Sequence, residues 1–142
     1  MDSEGGEYHS CAFTLGERRV LFRAAKITPR KDGQFVTLWR RSSRGVTEPF
    51  GGDCGYDLVI ISVQKDKQVG QFVFSKSVMI EQGIFSSVKT GGKRGFRVYP
   101  PWDRTTSKQA TLTKKWQSAF FIALPEESAA SIDKSLAAKL FY

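Results

Sequence analysis

The segment Asp57-Leu58-Val59-Ile60-Ile61-Ser62-Val63 is the most apolar in the chain. A short unbroken run of aliphatic, mostly β-branched residues is typical of a strand that is covered on both faces. A polar turn at 64–68 leads into a second apolar run at 69–74. The two runs therefore predict a hairpin at the centre of a sheet.

Further elements are predicted on either side of this hairpin. Residues 20–27 and 35–40 indicate two strands joined by a turn at 28–33, which makes a second hairpin with a basic tip. Residues 42–55 form a polar, glycine-rich connection, and 96–99 predict a short strand that is closed by two prolines.

Helical spacing predicts helices at 76–82, at 105–121 and, more weakly, at 126–140. Because hairpins precede helices without βαβ alternation, we expect an α+β fold with a mixed or antiparallel central sheet of hairpins flanked by helices. At 142 residues and 40% hydrophobic content, the chain is expected to form one domain over 1–142. Within it, 1–10 are an irregular lead-in and 123–142 a C-terminal helix.

Composition also indicates where the protein works. Two cysteines, Cys11 and Cys54, do not make a disulfide framework, and no apolar run is long enough for a signal peptide or a membrane span. We therefore expect a cytoplasmic protein with no membrane contact, and a monomer by default. His9 and the two cysteines lack the paired spacing of a zinc site, so no metal site is predicted.

Charge is sorted into two windows, 17–44 and 89–115. Together they hold 17 of the 22 basic residues and 3 of the 14 acidic residues, so the formal charge of +8 hides two strongly basic blocks on an acidic background. Basic blocks with interleaved glycines and aromatics are typical of a surface that binds a polyanion. Nucleic acid is the expected partner, and DNA is favoured over RNA.

Four blocks of mixed polar and aromatic residues resemble the MepB family of bacterial proteins. They are Phe22-Arg23-x-x-Lys26-Ile27-Thr28-Pro29-x-Lys31-x-Gly33-Gln34-Phe35-Val36-Thr37-Leu38-Trp39-x-Arg41, Gly70-Gln71-Phe72-Val73-Phe74, Gly91 to Asp103, and Trp116-Gln117. The chain departs from the family at Ser75, where proline is common, and at Lys114, where glutamine is usual.

The resemblance implies a restriction-endonuclease-like domain of the PD-(D/E)XK type that binds nucleic acid. A nuclease of that class needs acidic oxygens for Mg²⁺ and a nearby lysine, with an Asp at one strand head and a Glu-x-Lys on the next strand. Asp57 heads a suitable strand, whereas the partner strand offers Gln71 and no glutamate. Glu7 and Asp53 are further carboxylates in reach of such a site. The alternative, which we prefer, is that Asp57 caps a strand or pairs with an arginine.

The binding candidates come from both basic windows. Lys93, Arg94 and Arg97 are the first set, because the loop at 91–95 combines glycine amides with two cations and leads directly to Arg97. A second set comprises Arg23, Lys26, Arg30 and Lys31. Trp102 is a candidate for base stacking and Gln117 for hydrogen bonding to a base. Their alternatives are core packing for Trp102 and pairing with buried backbone for Gln117.

These observations predict a nucleic-acid-binding protein that contacts phosphates through a basic face, with a degenerate or absent nuclease site. The chain is thus expected not to be an enzyme and to need no cofactor. Two alternatives remain: a Mg²⁺-dependent endonuclease, which would need that ion, and a protein-interaction module for an acidic partner.

Overall fold

The structure, a computed structural model, describes residues 10–88 and 91–124, apart from the side chains of Ser10 and Cys11. The predicted helix at 126–140 lies outside these residues, as does nearly all of the predicted lead-in at 1–10. In chain order the elements are β1 (Ser10–Leu15), β2 (Arg18–Ala24), β3 (Lys26–Ile27), β4 (Gln34–Thr37), β5 (Trp39–Arg41), β6 (Thr47–Pro49), β7 (Leu58–Lys65), β8 (Gln68–Ser75), α1 (Lys76–Glu81), β9 (Gly95–Val98), α2 (Lys108–Ser118) and β10 (Phe121–Leu124).

A five-stranded sheet in the order β1-β2-β7-β8-β10 forms the centre of the domain. The strands pair antiparallel except for β2 and β7, which run parallel from the Val20–Leu58 pair onward. The hairpin predicted from the two apolar runs is β7–β8, with Ile60 opposite Val73. The sheet is mixed, so the predicted α+β class with a mixed central sheet is confirmed.

Both faces of this sheet are buried, because neighbouring side chains of a strand point to opposite sides. One face carries Leu21, Ile61 and Phe72 into the larger hydrophobic cluster, against which Trp116 of α2 also packs. The other face carries Ile60 and Val73 into a smaller cluster. The continuous apolar run at 58–61 thus follows from burial on both sides, as the sequence predicted.

A second, three-stranded sheet in the order β3-β4-β9 packs beside the first, and β5–β6 forms a separate two-stranded hairpin. This arrangement corrects the prediction of one continuous strand at 20–27. Ala25 makes the last bond to β7, its amide donating to the Ser62 carbonyl at 2.9 Å, and the chain then leaves for the second sheet as β3. The predicted connection at 42–55 likewise contains a strand, β6.

Both described helices begin at a serine whose hydroxyl accepts a backbone amide of the first turn. Ser75 accepts from Val78 at 3.2 Å, and Ser107 accepts from Ala110 at 3.0 Å. The long helix is three residues shorter at each end than the predicted 105–121: Ser107 caps its start, and beyond its end Phe121 continues as β10 beside β8. Among the described helices, none is long and apolar enough to cross a membrane.

Candidate nucleic-acid interface

The second sheet brings the two basic windows together. Phe35 of β4 lies between Lys26 of β3 and Arg97 of β9, so one row of side chains crosses from the first window to the second. The opposite side of β4 and β9 is buried core, with Val36 and Val98 fully enclosed. We call the outward side chains of β3, β4 and β9, together with the 28–33 turn and the 91–94 loop, the three-strand surface.

Arg97 is held in place by the first window. Its Nη2 donates to the Thr28 hydroxyl at 2.6 Å, its Nη1 donates to the Asp32 carbonyl at 3.1 Å, and its guanidinium carbon lies 5.8 Å from the centre of the Phe35 ring. These contacts orient the guanidinium on the three-strand surface. Arg97 therefore fixes the turn at 28–33 in addition to carrying charge.

The turn at 28–33 presents the exposed cations Arg30 and Lys31. It is fixed from the other side by Asp32, whose carboxylate accepts from the amide and the hydroxyl of Thr106 at 3.0 and 2.9 Å. Gly33 has a φ of 75° and lies against the Tyr99 ring. The basic tip is thus a shaped turn with two cations on its outside.

The loop at 91–94 is anchored at Lys93, which removes one of the backbone amides that were expected to cradle a phosphate. The amide of Lys93 donates to the Ile84 carbonyl at 2.9 Å, so it is not available to a ligand. The side chains of Lys93 and Arg94 are exposed, and Arg94 Nη1 lies 3.4 Å from the Thr47 hydroxyl. Within the described part of the chain, neither cation has a carboxylate within 4.0 Å.

Other cations of the two windows are engaged in the fold. Lys114 donates to the Asp103 carbonyl at 2.6 Å, Arg40 pairs with Glu48 at 3.0 Å and the Arg41 guanidinium lies 5.5 Å from the centre of the Trp39 ring. The excess of basic residues in the sequence therefore overstates the charge that is open to a ligand.

Arg23, predicted to contact phosphate, is buried in the interior. It is 1% exposed, and its Nη1 donates to the Phe22 carbonyl at 3.0 Å. The guanidinium carbon lies 6.0 Å from the centre of the Phe50 ring. The prediction is wrong because β2 belongs to a sheet that is covered on both faces, so that a phosphate cannot reach Arg23. Lys26, two positions beyond that strand, is exposed.

Trp102 and Gln117, predicted to meet bases, also serve the fold. The Trp102 ring packs edge-on against Phe121 with ring centres 5.7 Å apart. Gln117 is fully buried, accepting from the Tyr99 amide and donating to the Arg97 carbonyl, both at 2.9 Å. The structure therefore has the alternatives considered from the sequence: core packing for Trp102 and pairing with buried backbone for Gln117.

Asp57 and Gln71 do not form a catalytic pair. The carboxylate of Asp57 accepts from the Arg19 amide at 2.9 Å, which caps the start of the parallel β2–β7 pairing. Gln71 is 2% exposed and lies opposite Ser62, five residues beyond Asp57. At about 3.3 Å per residue the two positions are roughly 16 Å apart along the sheet. The preferred alternative for Asp57, a strand cap, is the observed one.

The other carboxylates and soft ligands add no site within the described residues. Asp53 is exposed, and burial raises the pKa of the Cys54 thiol, which disfavours the thiolate that binds metals. Glu7 and His9 lie outside the described residues. No group of three or more His, Cys, Asp or Glu side chains comes together over 10–88 and 91–124.

A cleft lies where β9 faces α2, next to the three-strand surface. It has a volume of about 420 Å³, and its lining includes Lys93, Gly95, Arg97 and Gln109. Tyr99 is part of its lining, and burial raises the pKa of the Tyr99 hydroxyl, against the lowering influence of Arg97. Tyr99 is therefore neutral at physiological pH and adds no negative charge beside Arg97. The sequence carried no signal for this cleft, because its walls come from segments far apart in the chain.

The geometry defines a strand-rich α+β domain with a mixed central sheet and a smaller sheet that carries exposed cations. The chain belongs to the MepB-like family, whose model matches residues 2–123. A solved structure described as "Crystal Structure of MepB" superposes with a TM-score of 0.83 at 32% sequence identity, over 86% of this chain and 82% of that one. No curated protein matches the chain.

Proposed function

We propose that this protein binds nucleic acid through its phosphates, using the three-strand surface. The observation that carries the proposal is the pairing of β4 with β9, in which Phe35 and Arg97 join basic windows some sixty residues apart in sequence. Six cations of the two windows belong to this surface: Lys26, Arg30, Lys31, Lys93, Arg94 and Arg97. The carboxylate of Asp32, which lies among them, is directed at Thr106.

The charge of this surface suits an extended polyanion. Arg30, Lys31, Lys93 and Arg94 are exposed and have no carboxylate partner within the described residues. A phosphate backbone would therefore gain contacts without breaking ion pairs of the free protein. DNA remains the expected polymer, and the cytoplasm remains the setting expected from the composition and the cysteine content.

The arrangement of carboxylates supports binding in preference to cleavage. A nuclease site would need two or three acidic oxygens at the head of the β7–β8 hairpin. Asp57 lies at that hairpin head, where it accepts the Arg19 amide, and no group of three or more His, Cys, Asp or Glu side chains comes together within residues 10–88 and 91–124. We therefore propose a restriction-endonuclease-like domain whose nuclease site is degenerate.

The test is a salt titration of binding to labelled DNA and RNA, followed by fluorescence anisotropy. If the six cations each neutralise a phosphate, the association constant falls by about three decades between 50 and 200 mM salt. The double substitution Lys93→Ala/Arg94→Ala should weaken binding to all sequences alike and reduce the salt slope by about 2.

The matched control removes two exposed charges elsewhere. Arg18 is the first residue of β2, Lys67 lies in the turn between β7 and β8, and both are exposed. Arg18→Ala/Lys67→Ala should lower the salt slope by clearly less than 2. Equal losses from both double variants would show that net charge and not this surface drives binding.

Two further experiments test the alternative functions. Plasmid cleavage in Mg²⁺ that Asp57→Ala abolishes would establish the endonuclease instead. Capture of an acidic protein after nuclease treatment would establish the interaction module.

A further inference from the structure

The cleft between β9 and α2 has a hydrogen-bonding edge that the protein leaves open. β9 is the last strand of its sheet, and its pairing with β4 is fixed by the bond from the Leu38 amide to the Arg94 carbonyl at 2.9 Å. In an antiparallel pair, alternate residues turn both backbone groups toward the partner strand or away from it. The backbone amides and carbonyls of Phe96 and Val98 therefore point toward β4, whereas those of Gly95 and Arg97 point toward the cleft.

Gln117 shows which chemical group fits this edge. Its planar carboxamide donates to the Arg97 carbonyl and accepts from the Tyr99 amide, both at 2.9 Å. Two residues earlier in the strand, the Gly95 carbonyl and the Arg97 amide form an acceptor–donor pair with the same spacing as the Arg97 carbonyl and the Tyr99 amide. Among the described residues, neither of these two groups has a hydrogen-bond partner.

The surroundings of this second pair favour a nucleobase over a peptide strand. A strand added to β9 would need a longer run of free backbone groups, and Gln117 already closes the edge from the Arg97 carbonyl onward. A base presents a planar donor–acceptor edge like that of the glutamine carboxamide. The volume of about 420 Å³ is in the range that holds small molecules, Trp116 contributes an aromatic wall, and Lys93 stands at the cleft with an exposed ammonium for the attached phosphate.

We infer that this cleft holds one unpaired nucleotide of the bound nucleic acid, with the base edge on the Gly95 carbonyl and the Arg97 amide. This inference rests on the proposed function and adds to it a preference for single strands. A base in a duplex uses its pairing edge for its partner and cannot enter a cleft of this kind without leaving the helix.

The direct test is an NMR titration of the ¹⁵N-labelled protein with each nucleoside 5′-monophosphate. The amides of Arg97 and Gly95, which face the cleft, should shift together as at least one of the nucleotides is added. The amides of Phe96 and Val98, which face β4, are the internal control and should move far less. Equal shifts along all of β9, or no shift at Arg97 with any of the four nucleotides, would overturn the inference.

A variant that fills the cleft tests the preference for single strands. Thr113→Trp adds bulk on the wall formed by α2, and Leu112→Trp adds the same bulk on the neighbouring position, which is 58% exposed and outside the cleft. The wild type should bind a single-stranded oligonucleotide about tenfold more tightly than a duplex of the same length at the same salt, which corresponds to 1.4 kcal/mol. Thr113→Trp should abolish that difference by weakening only single-strand binding, and Leu112→Trp should leave it intact.

The outcomes separate this inference from the proposed function. Absence of binding to every polymer at low salt would end the proposed function. Binding that is salt-dependent but equal for single strands and duplexes, or a Thr113→Trp variant that keeps the preference, would end only the inference about the cleft. If Thr113→Trp lowers the melting temperature strongly, Gln109→Trp at an exposed position of the same wall replaces it, with the same expected result.

Discussion

Gln117 donates a hydrogen bond to the carbonyl of Arg97 at 2.9 Å and thereby joins α2 to the open edge of β9. The same side chain accepts the Tyr99 amide, so one carboxamide takes the place of a neighbouring strand for two backbone groups. Edge strands expose such groups, and proteins commonly cover them with another element. Here a fully buried glutamine, which also lines the cleft, does so.

The first prediction concerns this contact. Gln117→Leu keeps the approximate side-chain volume but leaves the Arg97 carbonyl and the Tyr99 amide without partners, so we expect the free energy of unfolding to fall by about 2–4 kcal/mol. Urea denaturation measures this loss in the free energy of unfolding. Gln109→Leu, at an exposed position of the same helix, is the control and should change stability by less than about 0.5 kcal/mol. A loss below about 1 kcal/mol in Gln117→Leu would contradict the strand-like role.

The second prediction concerns the turn that carries Arg30 and Lys31. Gly33 has a φ of 75°, and an added Cβ would lie 2.7 Å from two Tyr99 ring carbons and from the Val98 carbonyl. Gly33→Ala should therefore combine left-handed backbone strain of about 1 kcal/mol with an overpacking cost of about 1–3 kcal/mol. Thermal or urea denaturation reports the sum.

Gly45 supplies the control for that substitution. Its φ is 79°, and nothing lies within 4 Å of an added Cβ. Gly45→Ala should then show the backbone strain alone, about 1 kcal/mol. If the two variants lose the same stability, the contact between Gly33 and Tyr99 does not restrict the turn.

The central hairpin and the class of the fold could be predicted because they depend on local pattern. The apolar runs at 57–63 and 69–74 correspond closely to β7 (Leu58–Lys65) and β8 (Gln68–Ser75), and the short helix at 76–82 to α1. Such elements follow from hydrophobic spacing and turn residues, which the sequence displays directly. β10 was missed because Phe121 continues the apolar spacing of the preceding helix.

The site residues were harder to predict because charge and amide groups do not reveal their surroundings. Arg23 and Lys26 are three residues apart in sequence. Arg23 lies on β2 and is buried, whereas Lys26 is exposed because the chain changes sheets at Ala25. Gln117 suited a base edge or a buried carbonyl equally well, and the position of α2 beside β9 decided between them. Burial of polar side chains is a property of the tertiary arrangement, which a single sequence does not display.

The third prediction concerns Asp57 as a strand cap. Asp57→Ala removes the acceptor of the Arg19 amide and should lower the free energy of unfolding by about 1 kcal/mol. Asp57→Asn keeps an oxygen at that position and should recover most of the loss. Equal losses in both variants, measured by urea denaturation, would mean that the charge of Asp57 matters and not its hydrogen bond.

The fourth prediction concerns the pH dependence of stability through Asp103. Burial raises the pKa of this carboxyl above its ordinary value of 3.8, although Lys65 and Lys114 act to lower it. The folded protein therefore holds the proton more tightly than the unfolded chain does. The protonated carboxyl therefore stabilises the fold fully below pH 3.8. This contribution to the free energy of unfolding declines as the pH rises through the raised pKa and is constant above it.

Asp103→Asn removes that titration, so stability relative to the wild type should rise with pH across this window and then level off. Urea midpoints at closely spaced pH values between about 3.5 and 6.5 measure the difference. Asp66→Asn, at an exposed position in the turn between β7 and β8, controls for the loss of one negative charge. If the wild type instead gains stability relative to Asp103→Asn as the pH rises, the ion pair with Lys65, at 3.7 Å, outweighs the burial of the carboxylate.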